Sequence, residues 1–283
     1  MYERRYGLIR TLAPLHVGAS AGEEAGNLNL IFRDPFTKTG IIPGSSLRGR
    51  FRAEMRGNEK HCFHWYGSPS DAKRDDIHEG NVKFEHASLL WFPVFCPGQP
   101  IVWVSSPLLL RRYASIAAPN LVGSEPPAYT GSTGMVGREG ETQATLFFNL
   151  GFMTLEHLQD LSAWLPPSMQ PMVPNNRLVV VADADVGLIH DMALYRQSRV
   201  KLDDNEKRVQ GKAFFNVEAL PEGSVLIFPI ALKPDQLQDW APFGEKAEGE
   251  LYFGGLESVG FGRCAVSLHQ PVQTTNPVVQ GAG

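Results

Sequence analysis

The sequence predicts an α+β fold built on a mixed or antiparallel sheet. Strand-like segments outnumber helical ones, several follow one another directly, and the strict strand–helix alternation of a doubly wound sheet is missing. Of the 283 residues 43% are apolar and 20% charged, the balance of a globular chain with a sizeable core.

The first strand falls in residues 2–17, where charge alternates with Tyr6, Leu8, Ile9, Leu12, Leu15 and Val17. It runs into a glycine-rich loop, "HVGASAGEEAGN", that is expected to be mobile. After the "IIPGSS" turn, Leu47, Phe51 and Met55 recur every four residues, which is helical; Arg48, Arg52 and Arg56 form a parallel stripe about 100° round the same helix. "HASLLWFPVF" and "PIVWVSS" read as strands and "PLLLRRYASIAA" as a helix opened by Pro107. "TQATLFFNL" is a further strand, and "TLEHLQDLSAWL" is predicted helical from its apolar spacing and a Thr154 cap. A buried strand, "RLVVVAD", precedes "SRVKLDDNEKRVQG", whose acidic centre marks a hairpin turn. The last strands are "GSVLIFPIAL", "GELYFGG" and "GRCAVSLHQ"; residues 270–283 lack periodicity and are expected to be a disordered tail.

A net charge of −4 excludes a globally basic nucleic-acid binder, so any anion site must be local. Cys62, Cys96 and Cys264 have no knuckle spacing and read as buried thiols of a reducing, cytoplasmic protein. The apolar runs are of strand length, so neither a membrane span nor export is expected. "HCFHWYG" offers His61, Cys62 and His64 but no fourth ligand, so no metal site is read there.

Two glycine-bearing segments can cradle an anion. "IPGSSLRGR" supplies backbone N–H groups at a helix start, the hydroxyls of Ser45 and Ser46 and following arginines; an ordinary serine cap with a solvated basic face explains the same residues. "FGGLESVGFGRC" exposes the amides of Gly254, Gly255, Gly260 and Gly262 beside Arg263, where tight turns are the alternative. Two such loops in one chain favour a polyanion. His16 beside the first loop reads either as a hydrogen-bonding group or as a general base.

"LHVGAS…RDPFTKTGIIPGSSLRGRFR" with "GGLESVGFGR" at the far end resembles the RAMP superfamily of CRISPR proteins, in particular the repeated backbone subunit of type III-B (Cmr) effector complexes. The resemblance implies one RAMP domain over residues 1–269, with a ferredoxin-like (RRM-like) palm, a finger insertion and a protruding thumb at about 186–211. It implies copies stacked in a filament on a CRISPR guide RNA, pairing with single-stranded target RNA beside other type III subunits. His16, Ser45, Ser46, Arg48, Arg50, Arg52, Gly254, Gly255, Gly260, Gly262 and Arg263 would contact the guide, and Ile189, Met192 and Leu194 of the thumb would wedge between bases.

The family's slicing aspartate falls at Leu28, between Asn27 and Asn29, where no carboxylate stands. Asp34, Glu23 and Glu24 are the nearest substitutes, with Asp34 the catalytic candidate. No tightly bound cofactor is expected, and Mg²⁺ or Mn²⁺ only if cleavage is retained. A guide-precursor processing endoribonuclease of the same superfamily and a non-RNA α+β interaction module are the alternative readings.

Overall fold

The computed structural model describes residues 2–19, 28–55, 57–68, 78–97, 99–135, 138–139, 144–202, 209–234 and 240–272. Glu23, Glu24, Asn27, Arg56 and the tail from residue 273 lie outside the described residues. Of the stretch from residue 270 expected to be disordered, Val272 is tied in place, its N–H donating to Ala117 O at 3.1 Å.

The chain opens with β1 (Glu3–Thr11), the short strands β2 (Leu28–Asn29) and β3 (Ile41–Ile42), and helices α1 (Gly44–Glu54) and α2 (Glu59–Tyr66). β4 (Val82–Phe84), β5 (Ala87–Cys96), β6 (Gln99–Ser105), α3 (Pro107–Ala117) and β7 (Thr130–Ser132) follow. A ribbon comprises β8 (Arg138–Glu139), β9 (Ala144–Phe148) and β10 (Gly151–Thr154); β11 (His157–Gln159), β12 (Leu178–Val180) and α4 (Val186–Ala193) come next. The hairpin of β13 (Tyr195–Leu202) and β14 (Val209–Ala219), then β15 (Val225–Leu232), β16 (Glu248–Tyr252) and β17 (Arg263–His269) complete it.

Four strands of the main sheet lie in the order β5-β15-β1-β17, all neighbours antiparallel. Ranked by position in the chain, that is 2-3-1-4, the ferredoxin-like order, with α1 in the first crossover. β1 and β15 bury both faces. Along β15, Val225 and Ile227 enter one core layer while Leu226, Phe228, Ile230 and Leu232 enter the other. Leu47 and Phe51 of α1 cover the second layer; Leu110, Tyr113 and Ala114 of α3 cover the first. Gly7 is the narrow point of β1: a Cβ there would lie 2.1 Å from the ring of its cross-strand partner Phe228.

Two sequence readings fail. "TLEHLQDLSAWL" is not a helix: Thr154 ends β10 opposite Thr145, residues 157–159 pair with β7, and only Ser162–Trp164 make a 3₁₀ turn. Pairing with strand neighbours overrides the apolar spacing and leaves Leu158 exposed. The proposed wedge residues are core residues. Ile189 (6% exposed) and Leu194 are buried and Met192 packs against the same core, because α4 lies on β5 and turns this face inward. Leu188 (55% exposed) is the apolar residue of α4 that faces water.

Ile189→Ala should therefore cost about 2–5 kcal/mol of unfolding free energy in a urea titration, while Leu188→Ala stays within about 0.5 kcal/mol of wild type. Equal, small losses would return Ile189 to the surface.

Candidate nucleic-acid interface

Helix α1 begins at Pro43 with no side-chain cap; the Ser46 and Leu47 N–H groups both bond Pro43 O, at 2.9 and 3.1 Å. Ser45 and Ser46 stand exposed in the first turn rather than serving as caps, which removes the ordinary-cap explanation.

The second glycine segment follows β16 and doubles back to β17. Its shape depends on close contact with the chain just after β1: Gly255 N–H donates to His16 O (3.0 Å) and Gly262 N–H to Pro14 O (2.9 Å). Gly254 has φ +77°, and a Cβ on it would fall 2.1 Å from His16 O. Phe261 anchors the loop in a small buried cluster with Val217 and Ala219 of β14. The groove wall and the β13–β14 hairpin are thus packed on one another.

These elements meet. A depression of about 400 Å³ is lined by Gly18, by Ser46, Gly49, Arg50 and Ala53 along one face of α1, and by the main chain from Tyr252 to Gly255 with Glu257. Residues 46 and 254, more than two hundred positions apart, share one wall-to-wall space rich in exposed backbone.

The predicted cations divide. Arg48 is exposed on α1 outside the depression, with no ion pair among the described residues. Arg50 lines the depression but pairs with Glu54 one turn on. Arg52 turns away, its guanidinium 5.6 Å over the Phe63 ring and 3.4 Å from Ser68 O. Arg263 makes a two-pronged ion pair with Glu250, 2.9 Å in each arm. Gly260 and Gly262 hold positive φ in the turn before it and lie outside the lining.

His16 is nearly buried. Its Nδ1 lies 2.6 Å from Glu218 O, and a carbonyl only accepts, so Nδ1 carries the proton and Nε2 faces the Gly18 backbone. Glu218 was missed by sequence reading. Its buried carboxylate takes Arg33 at 3.0 Å and Arg196 at 3.2 Å, while Arg33 also pairs with Asp191. Nothing in a strand reading "NVEAL" distinguishes such an acid from a solvent-facing one.

Leu28, which the resemblance sets in the slicing position, lies half-buried in β2 and pairs with Asn216 of β14 at the foot of the β13–β14 hairpin. Asp34 does not join it in the depression. Its Oδ1 accepts from the N–H groups of Phe36 (2.9 Å) and Thr37 (2.8 Å) and from the Thr37 hydroxyl (3.2 Å), and the residue borders a different cavity with His86 and Leu108. Partial burial works to raise the carboxyl pKa, but the Thr37 and Phe36 N–H groups outweigh it and hold the group below the usual aspartate range. A carboxylate so held staples a turn and is a weak proton acceptor, which corrects its reading as a catalytic substitute.

His61, Cys62 and His64 do not converge on a metal: Cys62 is buried with Sγ toward Arg52 O, and His64 lies beside Asn81. Among the described residues no three His, Cys, Asp or Glu side chains are grouped to hold an ion. All three cysteines are buried and outside any disulfide among the described residues, and burial pushes the Cys264 thiol up to about 12. No helix among the described residues is long and apolar enough to cross a membrane.

A ferredoxin-like palm whose first and last strands bring two glycine loops to one helix start defines a class of α+β proteins with a backbone-lined groove. The chain belongs to the RAMP superfamily, which it matches over residues 8–265. No curated protein matches it. Among solved structures it is similar to a chain of the type III-B Cmr-beta seen by cryo-EM bound to cognate target RNA, at 17% identity over 94% of this chain and 96% of that one, TM-score 0.71. It is also similar to oligomeric Cmr4 from Pyrococcus furiosus, at 18% identity over 96% and 100%, TM-score 0.65.

The close approach at Gly254 is directly testable. Gly254→Ala puts a methyl into the His16 carbonyl and a side chain at positive φ, so thermal unfolding should report a loss of more than about 1 kcal/mol. Gly255→Ala, where a Cβ meets nothing within 4 Å, should stay within about 0.5 kcal/mol.

Proposed function

We propose that this chain is a guide-RNA-binding backbone subunit of a type III-B-like, RNA-targeting CRISPR complex acting in the cytoplasm, with several copies along one CRISPR RNA that pairs with target RNA. The single observation that carries the reading is the depression where the α1 start and the Gly254–Gly255 main chain face each other. The Ser46 hydroxyl and Arg50 of the lining, with the exposed Ser45 hydroxyl and Arg48 beside it on α1, are a donor set for the phosphate and ribose of a single strand rather than for base edges. A sequence-blind grip is what a subunit needs when the guide varies and base pairing reads the target.

In this reading Ser45, Ser46, Arg48 and the glycine loop hold the guide, Arg50 and Arg263 act only after releasing Glu54 and Glu250, and Arg52 supports α1 through Phe63. The β13–β14 hairpin, rather than α4, serves as the thumb. Its main chain pairs from Tyr195 with Ala219 to Leu202 with Val209, and its root is locked by Glu218 and Phe261. Other type III subunits would cap the series of copies.

Slicing by this chain is not part of the reading. A divalent ion in the family's position would meet Leu28, with Asn216 and the Ser198 hydroxyl as the neighbouring polar groups. Neutral oxygens without a carboxylate are a poor donor set for Mg²⁺. The described residues therefore do not fit that ion.

Fluorescence anisotropy with a guide-length single-stranded RNA across a salt series tests the assignment. Wild type should bind with a salt-dependent affinity, and Arg48→Ala should reduce the slope of log affinity against log salt by about 0.7 per site. Arg263→Ala should change it less, since its charge is already matched by Glu250. A wild-type chain that leaves the RNA free overturns the reading.

The hairpin is tested separately by replacing residues 200–214 with Asn-Gly, which reconnects the register pair Arg199 and Phe215 through a two-residue turn. Guide binding should persist. The regular unstacking of a guide–target duplex, reported by 2-aminopurine fluorescence, should disappear; its persistence would move the thumb elsewhere.

A further inference from the structure

Two surface features take no part in the groove. The first is the turn from Asp34 to Thr39, which holds Phe36 out in water at 87% exposure. The turn is braced far beyond what a solvent loop requires. Besides the three bonds to Asp34 Oδ1, Asp34 N–H donates to Thr39 O and Lys38 N–H to Asp34 O, both at 2.9 Å, and Arg33 at its foot is ion-paired to Asp191 and Glu218. Lys38, beside the ring, is exposed and unpaired among the described residues. A phenyl ring held out on a braced turn keeps its apolar surface available for burial by a partner.

The second feature is a cavity of about 530 Å³ between the β9–β10 hairpin and α4. Leu150 (73% exposed), Phe152 (70%) and Leu188 form its rim, and Phe148, Ile189 and Met192 its floor. Among the described residues its charged lining groups are acids, Glu156 and Asp185, the latter accepting the Tyr129 hydroxyl at 3.2 Å.

We propose that Phe36 of one copy docks into this cavity of the next, with Lys38 set against the acidic rim. The occupant follows from complementarity within one sequence: an aromatic knob with Lys38 two residues on and Arg111 and Arg112 lining one cavity with it, and an apolar hole whose charged lining groups among the described residues are acids. Knob and hole are different patches, so the contact is heterologous, and each added copy leaves one free knob and one free hole. They also flank one helix: a Cβ on Gly187, at the start of α4, would touch Lys38 at 3.1 Å. The angle between knob and hole is therefore set by the rigid packing of the turn on α4, and successive copies repeat one rotation. An open series of copies is what the backbone-subunit reading, on which this proposal rests, requires.

The test uses Phe36→Asp and Leu188→Asp, both at exposed positions, in the full chain. Wild type, by light scattering after size-exclusion chromatography and on guide-length RNA by native gel, should form a ladder of lengths. Each variant alone should remain single, with association weakened about thirtyfold or more. Mixed in equal amounts, the two should give a species of two copies and nothing longer, because only one intact knob and one intact hole can meet. That restored pair also shows that both variants are folded. A variant that forms the full ladder by itself, a mixture that stays single, or wild type that stops at two copies overturns the proposal. Failure of the guide-RNA reading looks different: wild type would form its protein-only series, abolished by either variant, with RNA left unbound.

Discussion

Burying an unmatched carboxylate costs several kcal/mol, and Glu218, 3% exposed, is met by two guanidiniums. That constraint organises the functional side of the molecule. Arg33 comes from the turn before α1, Arg196 from β13, and Glu218 itself from β14, so satisfying one charge fixes three segments against each other. The main chain of the same residue accepts His16 Nδ1, and the His16 carbonyl in turn accepts the glycine loop through Gly255. Removing either arginine would leave the charge half-matched, and the hairpin root, the Phe36 turn and the groove wall would lose their common reference.

The sequence reads clearly where one physical signal decides the outcome. β5 and β15 are buried apolar runs bounded by turns, β1 and β17 mix apolar with polar residues between turns, and α1 and α3 carry a single apolar stripe, so each was legible from local pattern. The glycine loops were legible because Gly254 stands where no side chain fits. Residues 154–165 were not. Their apolar spacing suits a helix, but β7 and β9 offer backbone partners that no local pattern records. Ile189 and Leu194 were misread for a related reason: a wedge and a core face have the same composition, and only the position of β5 beneath α4 separates them.

Charge was the hardest property to read. The arginines of α1 look uniformly available, yet Arg50 is matched by Glu54 and Arg52 lies over Phe63, leaving Arg48 with neither an ion pair nor a ring contact among the described residues. Arg263 is likewise held by Glu250. Counting cations along the sequence therefore overstates the field at the groove, and a net charge of −4 is consistent with a surface on which most arginines already have partners.

That pairing changes what kind of ligand the groove can hold tightly. An isolated phosphate gains the exposed Arg48 and the serine hydroxyls of α1, and must displace Glu250 or Glu54 to gain more, so its net return is small. A polymer meets the next site without a new loss of translational freedom, because the linkage keeps successive phosphates at high effective concentration. Weak, sequence-blind contacts then add along the strand while each remains easily broken, and a periodic chain of copies can settle into register on a long RNA instead of being trapped by any one phosphate. On this account the acidic partners Glu54 and Glu250 are part of the groove's selectivity: they cost little against a polyanion held at many points and much against a single ion.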